Sequence, residues 1–157
     1  MGEVAPVNLF EDIESMSDTR VVYLYIEPDG CEIEEQCVGD YGWRRLMLFS
    51  TQTANFGIEE LNVGEVSYFG TETPTDAVSQ HRIFEFSACH QHFHYSHYAQ
   101  FVFGTKNVIS NTKHGFCLQT TYRYANAEWS VLTQDHYTCS NQGISPGWSD
   151  TYQGGIT

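Results

Sequence analysis

The sequence predicts an all-β domain, β-sandwich-like in class, with long loops. Three observations carry that reading. Aromatic residues are abundant, with ten Tyr, ten Phe and three Trp, while charged residues make up only 17% of the chain, a balance that suits sheets better than helices. Short runs of β-branched and aromatic residues recur along the chain with turn chemistry between them. No stretch keeps a 3.6-residue apolar period for more than two turns. At 157 residues the chain can bury one core of ordinary size.

The elements follow in order. Residues 1–20 read as an N-terminal extension, and 21–157 as the domain. Arg20–Ile26, "RVVYLYI", is a strand, and "EPDG" at 27–30 is a turn. Residues 44–57, "RRLMLFSTQTANFG", read as one strand leading into a turn. "VGEVSYFG" at 63–70 is a further short strand, and "TETPTDA" at 71–77 a loop. Residues 81–104 form one long or broken strand pair, and "GFCLQTTYRY" at 115–124 is another strand candidate. From Cys139 onward Gly, Ser, Asn and Pro dominate, so that tail reads mostly as loop.

The formal charge is −13, and residues 1–40 hold eleven Asp or Glu against a single Arg. This balance repels nucleic acid and anionic membrane surfaces and attracts a cationic partner. Acidity of this kind also serves solubility alone. No apolar run is long enough to span a bilayer. Met1–Asp12 lacks the basic start and apolar centre of a leader, yet five cysteines point to an oxidising compartment. The two together suggest a mature secreted chain whose leader has been removed. Five is odd, so at least one thiol has no internal partner.

"CHQHFHYSH", Cys89–His97, contains four of the seven histidines. On a strand, alternate side chains share a face, so His90, His92 and His94 point the same way. On a helix they could not converge on one ion. The outer pair would lie about 13 Å apart at Cα on a flat strand, so convergence requires a curved or bulged one. Three neutral imidazoles leave a coordination position open, as catalytic sites do, and suit copper or zinc. His97 falls on the other face and reads as a supporting residue.

"CHQHFH" followed by "HYAQF" resembles the copper segment of the lysyl oxidase family, including its microbial members. Three further segments match in order: "CEIEEQC" at 31–37 with "LMLFSTQTANFGIEEL" after it, "TKHGFCLQTT" at 112–121, and "CSNQGISPGWSDTY" at 139–152. The resemblance covers most of residues 17–157. It implies copper held by His90, His92 and His94, and an organic cofactor, lysine tyrosylquinone, built from Lys113 and Tyr152. Lys113 is one of only two lysines in the chain. It further implies disulfides Cys31–Cys37, which are also near in sequence, and Cys89–Cys139. In the family the cysteine of "FCL" pairs with one a few residues later; "TTYRYAN" has none, so Cys117 is expected to be unpaired. The family domain continues past the tyrosine of "DTY", whereas Thr157 follows five residues later. The C-terminal strands of the family are therefore expected to be absent. Their place would be taken by continuing chain, by a strand-donating chain or self-assembly, or by residues 1–20 folding back over the open edge.

The implied activity is protein-lysine 6-oxidase-like: copper-dependent oxidation of a primary amine, peptidyl lysine or a small amine, to an aldehyde, with release of ammonia and hydrogen peroxide. Copper would promote oxidation of the Tyr152 phenol, and the neutral ε-amine of Lys113 would add to the ring. Asp150, two residues before Tyr152, is the candidate general base, with His114 as the second. Asp150 as a turn-capping residue is an equally simple reading. Two other function classes compete. A tri-histidine zinc hydrolase would use the histidines but leave Lys113 and Tyr152 without a role. A non-catalytic extracellular metal-binding assembly module would keep the fold alone.

Overall fold

The computed structural model describes residues 6–66, 83–96, 99–104, 109–113, 116–124 and 137–154, without the side chains of residues 100 and 109–113. Within these residues the protein is all-β. Its strands are β1 (Leu9–Glu11), β2 (Arg20–Ile26), β3 (Gly42–Leu48), β4 (Thr51–Asn55), β5 (Leu61–Glu65), β6 (Phe84–Ser87), β7 (His92–Tyr95), β8 (Ala99–Phe103), β9 (Ile109–Lys113), β10 (Tyr122–Arg123), β11 (Asn141–Ile144) and β12 (Trp148–Tyr152). A 3₁₀ turn, Ile13–Asp18, and one short helix, α1 (Cys31–Glu34), interrupt them. All strand pairs are antiparallel. One sheet has four strands in the order β1-β4-β12-β10; the others are the pairs β11-β5, β2-β3, β6-β7 and β8-β9.

The first residues are built into the main sheet. Leu9–Glu11 pair with Asn55–Thr53 along the free side of β4. The Asp12 carboxylate then accepts the Glu14 N–H at 2.9 Å and starts the 3₁₀ turn. Asp18 accepts from both the amide and the hydroxyl of Ser50.

Three expectations need correction. Residues 44–57 are two strands, because the chain breaks pairing at Phe49–Ser50; β3 pairs with β2 and β4 enters a different sheet. The described part of the tail after Cys139 is strand and largely buried rather than loop, with residues 142–150 buried throughout. It forms β11 and β12, with Ile144, Ser145, Ser149 and Asp150 almost fully enclosed. Its small residues are there for close packing: a Cβ at Gly143 would collide with the Leu61 carbonyl and the Tyr137 ring. Finally, of the expected strand 115–124, the described residues 116–124 are mainly extended chain between sheets, with β10 their only ladder among the described residues. The loop 71–77, His97 and His114 lie outside the described residues.

The cysteines also pair differently. Cys31 bridges Cys89 with Cα atoms 5.7 Å apart, and Cys117 bridges Cys139 at 4.9 Å. Neither Cys31–Cys37 nor Cys89–Cys139 forms. Cys31 opens α1, and the chain then turns through Gln36 at φ 57°, which carries Cys37 to the surface. Sequence proximity therefore does not bring the two Cβ atoms to bonding distance. Cys117, expected to be unpaired, finds Cys139 because residues 116–118 run beside the entry to β11, with Gly143 N–H donating to the Leu118 carbonyl at 2.9 Å.

The core is mixed. Ile26, Ala54, Phe84, Leu118, Ile144 and Trp148 are buried with polar Asn55, Gln142, Ser145 and Ser149. The polar groups are satisfied: the Asn55 amide donates to the carbonyls of Glu59 and Ile144, and its oxygen accepts from Gly57 N–H.

Non-reducing peptide mapping should recover Cys31–Cys89 and Cys117–Cys139 and no peptide joining Cys89 to Cys139. Replacing Cys117 and Cys139 together by Ala should lower unfolding stability by about 3 kcal/mol, the loop-closure value for a 22-residue separation, measured by chemical denaturation.

Candidate metal centre and its surroundings

The β6–β7 hairpin presents the histidines. Ser87 pairs with His92, and Ala88–Gln91 form the connection, closed by Gln91 N–H donating to the Ser87 carbonyl at 2.9 Å. Gln91 sits in the left-handed region at φ 58°, an uncommon conformation for a residue with a side chain. That residue solves the reach problem of a flat strand. His90 stands in the turn and curls back toward His92 and His94, which are on β7. Ring centres are 5.6 Å apart for His90–His92, 5.4 Å for His90–His94 and 4.9 Å for His92–His94. Imidazole nitrogens each about 2 Å from one ion would put ring centres roughly 5 Å apart. The Nε2 atoms of His92 and His94 are already 3.1 Å from each other. His92 and His94 thus bring nitrogens together as a shared copper- or zinc-type ion would require, whereas the ligand atoms of His90 group with those of His94 and Glu35.

Burial and the neighbouring His90 hold the His92 pKa below its ordinary value, with desolvation the larger cause. The neutral, ligating form is thereby favoured. His94 is buried; His90 and His92 are partly exposed, which leaves one side of the cluster open.

Sequence reasoning missed one member. Glu35, just past α1, places Oε1 3.2 Å from His90 Nε2 and 3.8 Å from His94 Nδ1. The same oxygen accepts from the Ser87 hydroxyl at 2.6 Å. Among the described residues, Glu35, His90 and His94 have ligand atoms within 4.8 Å of one another. The signal available was the run of acids in "CEIEEQC", indistinguishable in sequence from general surface charge. The Cys31–Cys89 bridge ties the helix leading to Glu35 to the residue before His90. On the other side, a His92 nitrogen lies within 4.8 Å of the sulfurs of Cys117 and Cys139. Those sulfurs are bonded to each other and so are packing neighbours rather than ligands.

Tyr152 ends β12, half-buried. Its hydroxyl donates to the Cys117 carbonyl at 2.6 Å, and its ring lies 3.7 Å, centre to centre, from that of Phe116. Lys113 ends β9, opposite Ala99; its side chain lies outside the description. Asp150 is on β12, opposite Thr53. It is 1% exposed, and neither carboxyl oxygen has a hydrogen-bond partner among the described residues. Burial raises its pKa well above the carboxylate range. The backbone amides of Gln119 and Thr151 counter this in part without closing a bond to either oxygen, and the charge on Glu11 adds to the rise.

The lysyl oxidase family model matches residues 24–157. Human lysyl oxidase homolog 4 is 29% identical over 96% of this chain, which covers 18% of that relative. Pig protein-lysine 6-oxidase is 28% identical over 80% of this chain, covering 49% of its own length. Xenopus laevis lysyl oxidase homolog 2 is 29% identical over 78% of this chain and 15% of its own. The chain therefore spans half or less of the curated relatives it matches. Among the described residues, no helix is long and apolar enough to cross a membrane. With a family match across most of its length and an all-β fold that gathers His90, His92 and His94, the chain belongs to the lysyl oxidase family.

Proposed function

We propose that this domain carries out copper-dependent oxidative deamination of primary amines, acting outside the cell on cationic, lysine-rich or small amine substrates. The observation that carries the reading is the convergence of three imidazoles from one hairpin, with ring centres 4.9–5.6 Å apart, in a chain of this family. The net reaction consumes the amine, O₂ and water, and yields aldehyde, ammonia and hydrogen peroxide. Copper and the quinone derived from Lys113 and Tyr152 would supply the two-electron oxidation when present.

The chain's own residues have separate tasks. His90, His92 and His94 would hold copper. The Cys117 carbonyl holds the Tyr152 phenol, and the Phe116 ring packs against the Tyr152 ring at a 41° tilt. Asp150 would take the proton from the carbon bearing the amine. It shares a strand face with Tyr152 by alternation. The −13 charge favours encounter with cations, and ionic strength screens it.

Replacing His92 by Ala should lower copper(II) affinity at least tenfold in competition titration; unchanged copper content would remove His92 from the ligand set. Copper-loaded, aerated protein should yield a Lys113–Tyr152 cross-linked peptide by mass spectrometry, absent from Lys113→Arg; wild-type protein without that peptide would overturn the cofactor assignment.

Asp150 gives a signed pH dependence. Its folded-state pKa is raised, so the native state holds this proton more tightly than the unfolded chain. The stabilising contribution is complete below about pH 4 and is lost as pH rises through the raised folded value. A base with this pKa becomes active only over the same rise. The rate should therefore climb through a limb above the ordinary carboxylate range, and Asp150→Asn should abolish that limb and slow turnover by about 10²-fold or more. The same variant should flatten the pH dependence of denaturation, which a role in turnover alone would not require.

A further inference from the structure

We infer that Glu35 is a positioning residue for the copper site, fixing which nitrogen of His90 and of His94 faces the metal. The inference rests on the three-histidine copper reading above. A single carboxylate oxygen, Oε1, is approached by His90 Nε2 at 3.2 Å and His94 Nδ1 at 3.8 Å. An ionised carboxylate only accepts, so His90 Nε2, at hydrogen-bond distance, is best occupied by a proton, and His94 Nδ1, beyond that distance, is biased the same way by the carboxylate charge. The opposite nitrogen of each ring is then left with its lone pair: Nδ1 on His90 and Nε2 on His94. For His94 this is the atom that stands 3.1 Å from His92 Nε2, where an ion shared with His92 would sit. The two rings, held through opposite nitrogens, would therefore ligate through opposite nitrogens.

The carboxylate is itself held. Ser87 donates its hydroxyl to Oε1 at 2.6 Å while its Oγ accepts the His90 backbone N–H at 3.1 Å. Ser87 thus joins Glu35 to the turn that carries His90. The Cys31–Cys89 bridge fixes the same pair of segments covalently. Carboxylates placed behind metal-bound imidazoles orient the ring and raise its basicity, and their removal typically weakens metal binding by about 10–100-fold.

The test is copper(II) titration of the full chain as wild type, Glu35→Gln and Ser87→Ala, with pulsed EPR on the copper-loaded samples. Pulsed EPR reads the remote, non-ligating nitrogen of each bound imidazole. Glu35→Gln, the isosteric change, should weaken copper binding by about 10–100-fold. It should shift the remote-nitrogen frequencies of two imidazoles while three imidazoles remain bound. Ser87→Ala should move both in the same direction by less. Unshifted remote-nitrogen frequencies in Glu35→Gln would overturn the assignment, whether affinity is unchanged or falls through loss of Glu35 as a direct ligand. A wild-type protein that binds no copper would instead defeat the copper reading on which this one stands.

Discussion

Residues Phe116–Leu118 are the constraint on which the site depends. They run as extended chain, nearly fully buried, and each makes a different tertiary connection. The Phe116 carbonyl accepts Tyr95 N–H at 2.6 Å and so holds the end of β7. Cys117 accepts the Tyr152 hydroxyl through its carbonyl and bonds Cys139 through sulfur. Leu118 N–H donates to Gln142 Oε1, while the Gln142 amide donates to the Phe93 carbonyl between two of the histidines. Because extended backbone outside a ladder leaves its polar groups unpaired, this tripeptide can bind the histidine hairpin, β11 and β12 at once. The buried amide of Gln142 serves the same end: three hydrogen bonds from one enclosed side chain, each costly to leave unmade.

The two disulfides flank the histidines from opposite sides. Cys31–Cys89 secures the outer approach through α1, and Cys117–Cys139 sits against His92. Both join segments distant in sequence that lie against the same hairpin. The histidine run is thus tied covalently at Cys89, packs against the second bridge at His92, and is hydrogen-bonded at the Phe93 carbonyl and the Tyr95 amide. Such over-determination sustains an uncommon backbone conformation such as that of Gln91.

Legibility in the sequence followed the range of the interactions. The fold class was readable because alternation and β-branched content are local. The alternation of His92 and His94 on β7 was readable for the same reason, whereas His90, expected on the same strand face, stands in the turn before it. The turn that brings His90 back was foreseen only as a need for curvature; nothing in Gln91 as a residue type announces a left-handed backbone. Glu35 was illegible because its meaning comes from position beside two rings more than fifty residues away, while its local context is merely acidic. The cysteine pairing failed for the same reason: nearness along the chain gave Cys31–Cys37, whereas packing chose Cys89 and Cys139 as the partners. The tail after Cys139 reads as loop because Gly and Ser are common turn residues, whereas Gly143 is small so that Leu61 and Tyr137 can approach.

The three histidines fall at alternate positions within a five-residue stretch, but the groups that hold them come largely from elsewhere in the chain. On the copper reading, a run this compact would offer imidazole nitrogens to an ion even without the rest of the fold. Glu35, Phe116–Leu118 and Gln142, closing around it, would limit the run to one set of nitrogens in one geometry. On the copper reading proposed above, capture and discrimination would be divided between two levels of structure, the peptide segment attracting a transition metal and the folded domain selecting among them.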